Sequence, residues 1–294
     1  MNDKIESIPV ESNDSYVTGI KTGFTEFDRM TGGLRPGDLI LLGSCHAMGK
    51  TSFICNIAWH ACIRTGIPTA FFNFDAETPG EWLLVRLLRS EYGDDAQKTI
   101  KQDAQSKLNN APLFIYNIDD SKITDIQEKC KLLKSNHDLG LVIIDYLQLM
   151  HDKNYSHKDI DAFLRQVSDG DLPFSDRCAI ENVEIMHKLA ELSKEINVPI
   201  IIATQLSRKL EARENRRPML SDMRHWSEGM DPDDVCEADA AVVVFLYRDE
   251  HYNPDTQKKS IAEVIIAKNR HGPVGTVELV FDSEIGKFSN IDKE

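Results

Sequence analysis

The stretch GSCHAMGKTSF, residues 43–53, combines residue types that bind phosphate. It continues the apolar run DLILL and leads into an amphipathic stretch, so the sequence predicts strand, loop and helix in succession. In that setting the backbone N–H groups face a phosphate, Gly49 lets the backbone approach closely, and the Lys50 ammonium reaches the β and γ phosphates. The Thr51 hydroxyl is suited to Mg²⁺. We therefore predict a nucleotide-binding loop, although five residues rather than the usual four separate Gly43 from Gly49.

Carboxylates follow two further apolar runs. Asp145 ends the run LVIID, where a carboxylate supports the metal of a bound nucleotide through water; in another context it would be an Asp that caps a turn. Asp75 and Glu77 follow the run TAFFNF, and either could orient the water that attacks the γ phosphate. Glu77 precedes Thr-Pro, so it could instead be a first-turn helix carboxylate that complements the dipole. Spacing alone leaves both alternatives for Glu77 open.

Apolar runs typical of buried strands alternate with amphipathic stretches typical of helices. The strand candidates are residues 38–44, 69–75, 113–117, 139–150 and 199–205, and the helix candidates are 51–66, 80–93, 123–137 and 181–197. Such alternation predicts an α/β fold with a mainly parallel sheet. After about residue 239 come three strand candidates with short connections, AAVVVFLYR, IAEVIIAKNR and TVELVFDSE, which predict an antiparallel addition at the sheet edge.

Length and composition favour a single large domain. The chain has 294 residues, 41% of them hydrophobic, and shows no internal linker, so we expect one domain over residues 17–294. Residues 1–16 are polar and lack apolar periodicity, which predicts a mobile tail rather than a signal peptide. No run approaches the roughly 18 apolar residues that a membrane helix needs.

Cysteine usage and charge narrow the class further. The six cysteines lack paired spacing, so neither a zinc site nor a disulfide framework is suggested, and a reducing, cytoplasmic compartment fits best. The net charge of −14 argues against nucleic-acid binding by the whole surface but allows a local basic strip. Residues 207–237 contain such a strip, and loops as long as this one and residues 151–180 are usually functional or disordered.

These motifs together resemble the RecA-fold ATPases of the DnaB type of replicative helicase. In that family the first glycine of the phosphate loop is set one residue further back and the loop ends Met-Gly-Lys-Thr, as residues 48–51 do here. The likeness covers most of residues 17–290 in order. It runs through residues 17–42, Glu77 and Pro79, and residues 140–150, 181–224, 238–252 and 262–282. The resemblance implies a RecA-like P-loop fold.

The resemblance also implies a role for each matching residue. Glu77 would be the general base, and Gln205 the γ-phosphate sensor that links the nucleotide to DNA-facing loops, although a strand-end amide can also simply cap a loop. Lys268 and Arg270 match a Lys-x-Arg pair that such proteins insert into the neighbouring subunit's site. The residues expected to bind ATP and Mg²⁺ are Gly43, Met48, Gly49, Lys50, Thr51, Ser52 and Asp145, with Thr51 and Asp145 at the metal.

The implied activity is ATP-driven movement on single-stranded DNA during replication. The resemblance implies a ring of six subunits, with a loader or primase as a further partner. The DNA contacts would come from Arg208, Arg213, Arg216, Arg217 and Arg224, unless these form a solvated, salt-bridged loop. Two other functions stay open: a nucleotide-switched regulator that acts on protein partners, and a recombinase-like filament former.

The chain departs from the family pattern at several places. Only about sixteen polar residues precede the similarity, so the usual helical N-terminal domain is not expected. The DNA loop after Arg224 is longer than usual and carries Glu228, Asp231, Asp233 and Asp234, which would repel phosphate if they faced the channel. Trp226 could stack on a base or bury itself. Cys45 and His46 suggest a metal pair only weakly, because two ligands do not make a site.

Overall fold

The structure is a computed structural model. It describes residues 17–74, 80–93, 108, 110–118, 123–145, 174–206, 208–223 and 239–291, and for 81, 174–181 and 208 it describes the backbone alone. Several predicted features lie outside these ranges. They are Asp75, Glu77, Arg224, Trp226, the acidic positions from 228 to 234, and residues 151–173.

The described residues form one nine-stranded sheet in the order β3-β2-β4-β5-β1-β6-β7-β8-β9. The strands from β3 to β6 in this order are parallel, and β7, β8 and β9 extend the sheet antiparallel, which confirms the predicted fold class. β1, β2, β4 and β6 are buried along their whole length, as strands covered on both faces should be. Their bounds are β1 Leu39–Ser44, β2 Thr69–Asn73, β3 Leu113–Asn117, β4 Leu141–Asp145, β5 Ile200–Gln205, β6 Val242–Tyr247, β7 Ile261–Asn269, β8 Gly275–Asp282 and β9 Lys287–Asn290.

Helices connect the parallel strands at the predicted places. The α-helices are α1 Thr25–Thr31, α2 Lys50–Trp59, α3 Gly80–Tyr92, α4 Ile123–His137 and α5 Phe174–Ile196. α2 continues as a π-helical turn, His60–Arg64, before the chain enters β2. α5 begins at residue 174, so the end of the stretch predicted as a long loop, residues 151–180, is helical.

An aromatic cluster fixes the start of α2 against the antiparallel edge. The Phe53 ring of α2 stacks on Phe24 at 5.0 Å between centroids and meets Phe288 of β9 edge-on at 5.2 Å. Phe288 in turn contacts Phe281 of β8 at 4.3 Å. Each such pair contributes about 0.5–1.5 kcal/mol beyond its buried area. The cluster therefore holds the first turn of α2, and with it the phosphate loop, in a fixed position.

Residues 208–223, the arginine segment, are fastened to the sheet by an ion pair whose carboxylate is buried. Arg217 donates from Nε and Nη2 to the two carboxylate oxygens of Glu263 in β7, each at 2.7 Å. Lys258 donates to Glu263 Oε1 at 2.8 Å, and Glu263 is only 3% exposed. Burial alone would raise the pKa of Glu263, but the hydrogen bonds from Arg217 and Lys258 outweigh it and hold this pKa below its usual value.

We expect Glu263→Gln to lower the free energy of unfolding by about 1–3 kcal/mol, because Arg217 loses its charged, bidentate partner. Urea unfolding measures this change. Because the carboxylate pKa is lowered in the folded state, its contribution is present above pH 4–5 and is lost as the pH falls through the folded pKa, so the variant and the parent should converge there.

Glu278→Gln is the matched control. Glu278 also accepts a hydrogen bond from Lys258, but its side chain is 42% exposed, and we expect a change within about 0.5 kcal/mol. Equal losses for Glu263→Gln and Glu278→Gln would show that the buried pair does not hold the segment.

Candidate nucleotide site

The phosphate loop lies between the end of β1 and the first residue of α2, Lys50. Gly49 has a φ of 94°, and Ala47 has a φ of 60°, both in the left-handed region. A Cβ on Gly49 would also lie 3.1 Å from ring carbons of Phe281 and Phe288. Both its conformation and its packing therefore require glycine at position 49.

Gly43, the first glycine of the motif, lies in a strand. It belongs to β1, where it pairs with Thr204 and Phe245 on the two neighbouring strands. A Cβ at Gly43 would lie 2.9 Å from two carbons of the Phe245 ring, so this glycine makes room for an aromatic side chain. Met48 is 1% exposed and packs in the core, which leaves only its backbone to face a phosphate. Binding roles for Gly43, Met48 and Ser52 stay predictions.

The two residues predicted to support Mg²⁺ lie together. Thr51 Oγ1, in the first turn of α2, donates a hydrogen bond to Asp145 Oδ2 at 2.8 Å. Asp145 is the last residue of β4 and is 2% exposed. A hydroxyl and a carboxylate oxygen are the hard donors that Mg²⁺ prefers, so this pair fits a nucleotide-bound magnesium ion.

Gln205 lies next to the phosphate loop and directly before the arginine segment. It ends β5 and pairs in register with Ser44, the last residue of β1. The Leu206 N–H then donates to the Ser44 carbonyl at 2.9 Å. The end of β5 is therefore joined through backbone to the start of the phosphate loop, while the role of Gln205 as a phosphate sensor stays a prediction.

Lys268 and Arg270 lie toward the amino ends of the parallel strands, away from the strand ends that adjoin the phosphate loop. Lys268 pairs with Val243, which pairs with Leu41, while the Arg270 N–H donates to the Ala241 carbonyl at 2.9 Å. The Ala241 N–H donates to the Leu39 carbonyl, so Arg270 is level with the first residue of β1. That level is about 16 Å along the strand from Ser44, farther than an arginine side chain reaches. Neither cation is placed to act on its own subunit's phosphate loop.

The turn that carries Arg270 is tied to the body of the domain by contacts that the sequence analysis missed. Asn269 Nδ2 donates to the Met30 and Pro273 carbonyls, both at 3.0 Å, and His271 Nε2 lies 2.6 Å from Asp38 Oδ2. A Cβ on Gly272 would lie 2.4 Å from the Met30 carbonyl oxygen. These contacts preorganise the turn. No local pattern reveals the contacts to Met30 and Asp38, because those partners are over 200 residues away in sequence.

Three of the arginines predicted to bind DNA make contacts inside the chain. Arg213 Nη2 donates to Asp222 Oδ2 at 2.8 Å, and Arg217 makes the Glu263 pair described above. The Arg216 guanidinium lies 4.9 Å from the centroid of the Tyr252 ring. DNA binding by these residues stays a prediction, as it does for Arg224 and for Arg208, whose side chain is outside the described part. Glu77 also lies outside it.

The described residues contain no separate metal site and no membrane-spanning helix. No group of three or more His, Cys, Asp or Glu side chains among the described residues could hold a metal ion. Cys45 is buried, whereas His46 is exposed, so this part of the chain gives no support to a metal pair at these positions. No helix within the described ranges is long and apolar enough to cross a bilayer.

Comparison with known sequences identifies proteins that are similar to this chain. Residues 19–290 match the family model described as the DnaB-like helicase C terminal domain. The chain is 38% identical over 302 aligned residues to the replicative DNA helicase DnaB of Geobacillus stearothermophilus and 36% identical to the replicative DNA helicase DnaC of Bacillus subtilis (strain 168). Each alignment covers 99% of this chain and 60% of the relative, so the chain spans about three fifths of these proteins.

Solved structures of related ATPase domains superimpose on this chain. One of them, a structure of an isolated ATPase domain, superimposes with a TM-score of 0.79 and 30% sequence identity, over 96% of this chain and 95% of that domain. A DnaB-like replicative helicase, solved in a study of its interactions with primase, gives a TM-score of 0.76 at 29% identity and covers 96% of this chain and 64% of that one. The fold is thus the RecA-like P-loop fold, and the chain belongs to the DnaB-like helicase C-terminal domain family.

Proposed function

We propose that this chain is the ATP-hydrolysing motor of a replicative DNA helicase. The observation that carries the proposal is the hydrogen bond between Thr51 and Asp145, placed beside Lys50 at the start of α2. Relatives named replicative DNA helicases and a solved ATPase domain of the same fold support it. The substrate would be ATP, and the energy would drive movement along single-stranded DNA.

In this mechanism each residue of the site has a separate task. The backbone of the loop and the Lys50 ammonium hold the phosphates, while Thr51 and Asp145 hold Mg²⁺. The ion would neutralise charge that develops on the β and γ phosphates. Glu77 would take the proton of the attacking water, and Gln205 would sense whether the γ phosphate is present. Chemistry and sensing would then meet at the carboxyl ends of the parallel strands.

Assembly would complete the site. Because Lys268 and Arg270 lie at the sheet edge opposite their own phosphate loop, they would act on the loop of a neighbouring copy. A head-to-tail contact of this kind generates a ring when the rotation closes, and we propose six subunits. A primase or loader would be a further partner, as the study of a related helicase with primase suggests.

The alternative is a nucleotide-switched ATPase that acts on protein partners without unwinding DNA. The net charge of −14 and the internal contacts of Arg213, Arg216 and Arg217 favour it. The two functions differ in one measurement. A helicase motor hydrolyses ATP faster when single-stranded DNA is added, whereas a switch of this kind responds to a protein partner and not to DNA.

Lys50→Ala should reduce ATP turnover by about 100-fold or more, because the ammonium that contacts the transferring phosphate is lost. Turnover is measured with Mg²⁺ and saturating oligothymidylate. Lys131→Ala is the control, since Lys131 pairs with Glu195 on the surface, and it should keep parental turnover. Parental turnover by Lys50→Ala would remove the basis of the proposal.

Arg270→Ala should likewise lose most DNA-stimulated turnover, and mixing it with Lys50→Ala should restore part of it. In a mixed ring an intact phosphate loop from one variant meets an intact Arg270 from the other at roughly a quarter of the interfaces, if subunits assemble at random. Arg29→Ala, a change of an exposed helix arginine, is the control that should behave as the parent. Full turnover by Arg270→Ala alone would exclude its action across the interface.

Arg224→Ala and Arg217→Ala should separate contact with DNA from support of the fold. For Arg224→Ala we expect weaker binding of oligothymidylate and a salt dependence of that binding that is reduced by about one phosphate contact. Arg217→Ala should lower the free energy of unfolding, because buried Glu263 loses its bidentate partner. Fluorescence anisotropy at several salt concentrations and urea unfolding measure the two effects. An unchanged salt dependence for Arg224→Ala would contradict the contact.

A further inference from the structure

The turn between β7 and β8, residues 270–274, carries an exposed arginine on a backbone that is held in place. Arg270 is exposed, as are residues 272–274. Its N–H nevertheless donates to the carbonyl of Ala241, the residue before β6, at 2.9 Å. A side chain on a fixed backbone reaches a limited volume. The groups that fix the turn therefore decide where the guanidinium can act.

The Asn269 side chain attaches this turn to α1. Its Nδ2 donates to the Met30 and Pro273 carbonyls, both at 3.0 Å, and its Oδ1 accepts the His271 N–H at 3.1 Å. Two carbonyls and one N–H allow only one orientation of the amide. The Met30 carbonyl belongs to the last turn of α1, where carbonyls lack a partner within the helix. One amide thus closes the turn and joins it to the end of the helix.

His271 provides a second attachment, at the start of β1. Its Nε2 lies 2.6 Å from Oδ2 of Asp38, the residue that precedes β1. The turn also packs directly on α1, because a Cβ on Gly272 would lie 2.4 Å from the Met30 carbonyl oxygen. Arg270 therefore lies between two neighbours in sequence whose side chains are each bound to the body of the domain.

The helix that receives the Asn269 amide is itself fixed. Phe27 of α1 is 2% exposed, and its ring meets Phe53 of α2 edge-on at 6.4 Å between centroids. At the start of α1, the Thr25 N–H donates to Asn290 Oδ1, and Asn290 Nδ2 donates to the Gly23 carbonyl, both at 2.9 Å. α1 is thus a firm support for the turn.

We propose that Asn269 and His271 are positioning residues for Arg270, which they hold in the direction that reaches the phosphate site of a neighbouring copy. This inference rests on the proposed function and adds to it two residues that act through Arg270. A displacement of a reacting group by about 1 Å can lower a rate by about 100-fold. Loss of either attachment should therefore lower turnover, while the variant's own phosphate loop keeps its affinity for nucleotide.

The main test is Asn269→Asp, which keeps the size of the side chain and the acceptor for the His271 N–H. It replaces the donor to Met30 and Pro273 by an oxygen that their carbonyls repel. With Mg²⁺ and saturating oligothymidylate, we expect turnover to fall by about 10- to 100-fold. The Kd of a fluorescent ATP analogue should stay within about 2-fold of the parent.

Asn290→Asp is the matched control. It makes the same chemical change at an asparagine that ties down the other end of α1, and it also loses a donor to a carbonyl. Because Asn290 does not contact the turn through these bonds, the variant should keep parental turnover. Hydrogen exchange of residues 270–275 should become faster in Asn269→Asp and stay parental in Asn290→Asp.

Mixing experiments separate a misplaced Arg270 from general damage to the subunit. Asn269→Asp keeps an intact phosphate loop and Lys50→Ala keeps an intact turn, so about a quarter of the interfaces in rings assembled at random combine both, and turnover should rise. Mixing Asn269→Asp with Arg270→Ala should restore nothing, because both supply a defective turn. His271→Ala should behave as Asn269→Asp does, and it serves as the test if Asn269→Asp does not fold.

The outcomes distinguish this inference from the function on which it rests. Parental turnover by Asn269→Asp, when Arg270→Ala is inactive, would overturn the inference and leave the proposed function standing. The same holds if Lys50→Ala restores turnover to Arg270→Ala but not to Asn269→Asp, since the damage would then lie in the variant's own site. If Arg270→Ala itself keeps parental turnover, the proposed action of Arg270 on a neighbouring copy fails, and this inference fails with it.

Discussion

The hydrogen bond from Thr51 to Asp145 is the contact on which the candidate site depends. It joins the first turn of α2 to the end of β4, and it requires the β4-β5-β1 strand order that brings these ends to one edge of the sheet. An aspartate that is 2% exposed costs free energy unless it has partners, so the core around it has to supply them. The aromatic cluster of Phe24, Phe53, Phe281 and Phe288 holds the helix in the position from which Thr51 reaches it.

Strand direction places the phosphate loop and the two candidate cations, Lys268 and Arg270, at opposite ends of the strands. The parallel strands end beside the phosphate loop, whereas β7 runs antiparallel and ends at the other edge with Lys268 and Arg270. The sheet keeps the phosphate loop apart from Lys268 and Arg270. The two ends of the strands cannot approach each other without breaking the hydrogen bonds between β1, β6 and β7. Topology therefore separates both cations from their own phosphate loop, and their action on a neighbouring copy stays a proposal.

Features whose signal is local could be predicted from the sequence. Fully apolar runs indicated the parallel strands, and the succession of strand, loop and helix around Lys50 is found in the structure. The structure also brings Thr51 next to Asp145 at the end of the run LVIID, while the binding roles of these residues stay predictions. β9 was missed, because it has four residues of which only Phe288 is buried. The pairs Arg217 with Glu263 and His271 with Asp38 were missed for a different reason. Their partners are 46 and 233 residues apart, and each residue alone is an ordinary charge near a strand.

The arginine segment illustrates why charge alone does not identify a nucleic-acid contact. To bind a phosphate, Arg217 would have to leave a bidentate pair with a carboxylate that is 3% exposed, and Glu263 would then be buried with one fewer partner. Glu263 would keep its hydrogen bond from Lys258, but the loss of a bidentate partner at a buried carboxylate costs about 1–3 kcal/mol, more than an exposed ion pair typically returns. The exchange is unfavourable, so the contacts of Arg217 favour a role in supporting the segment over one in binding a phosphate.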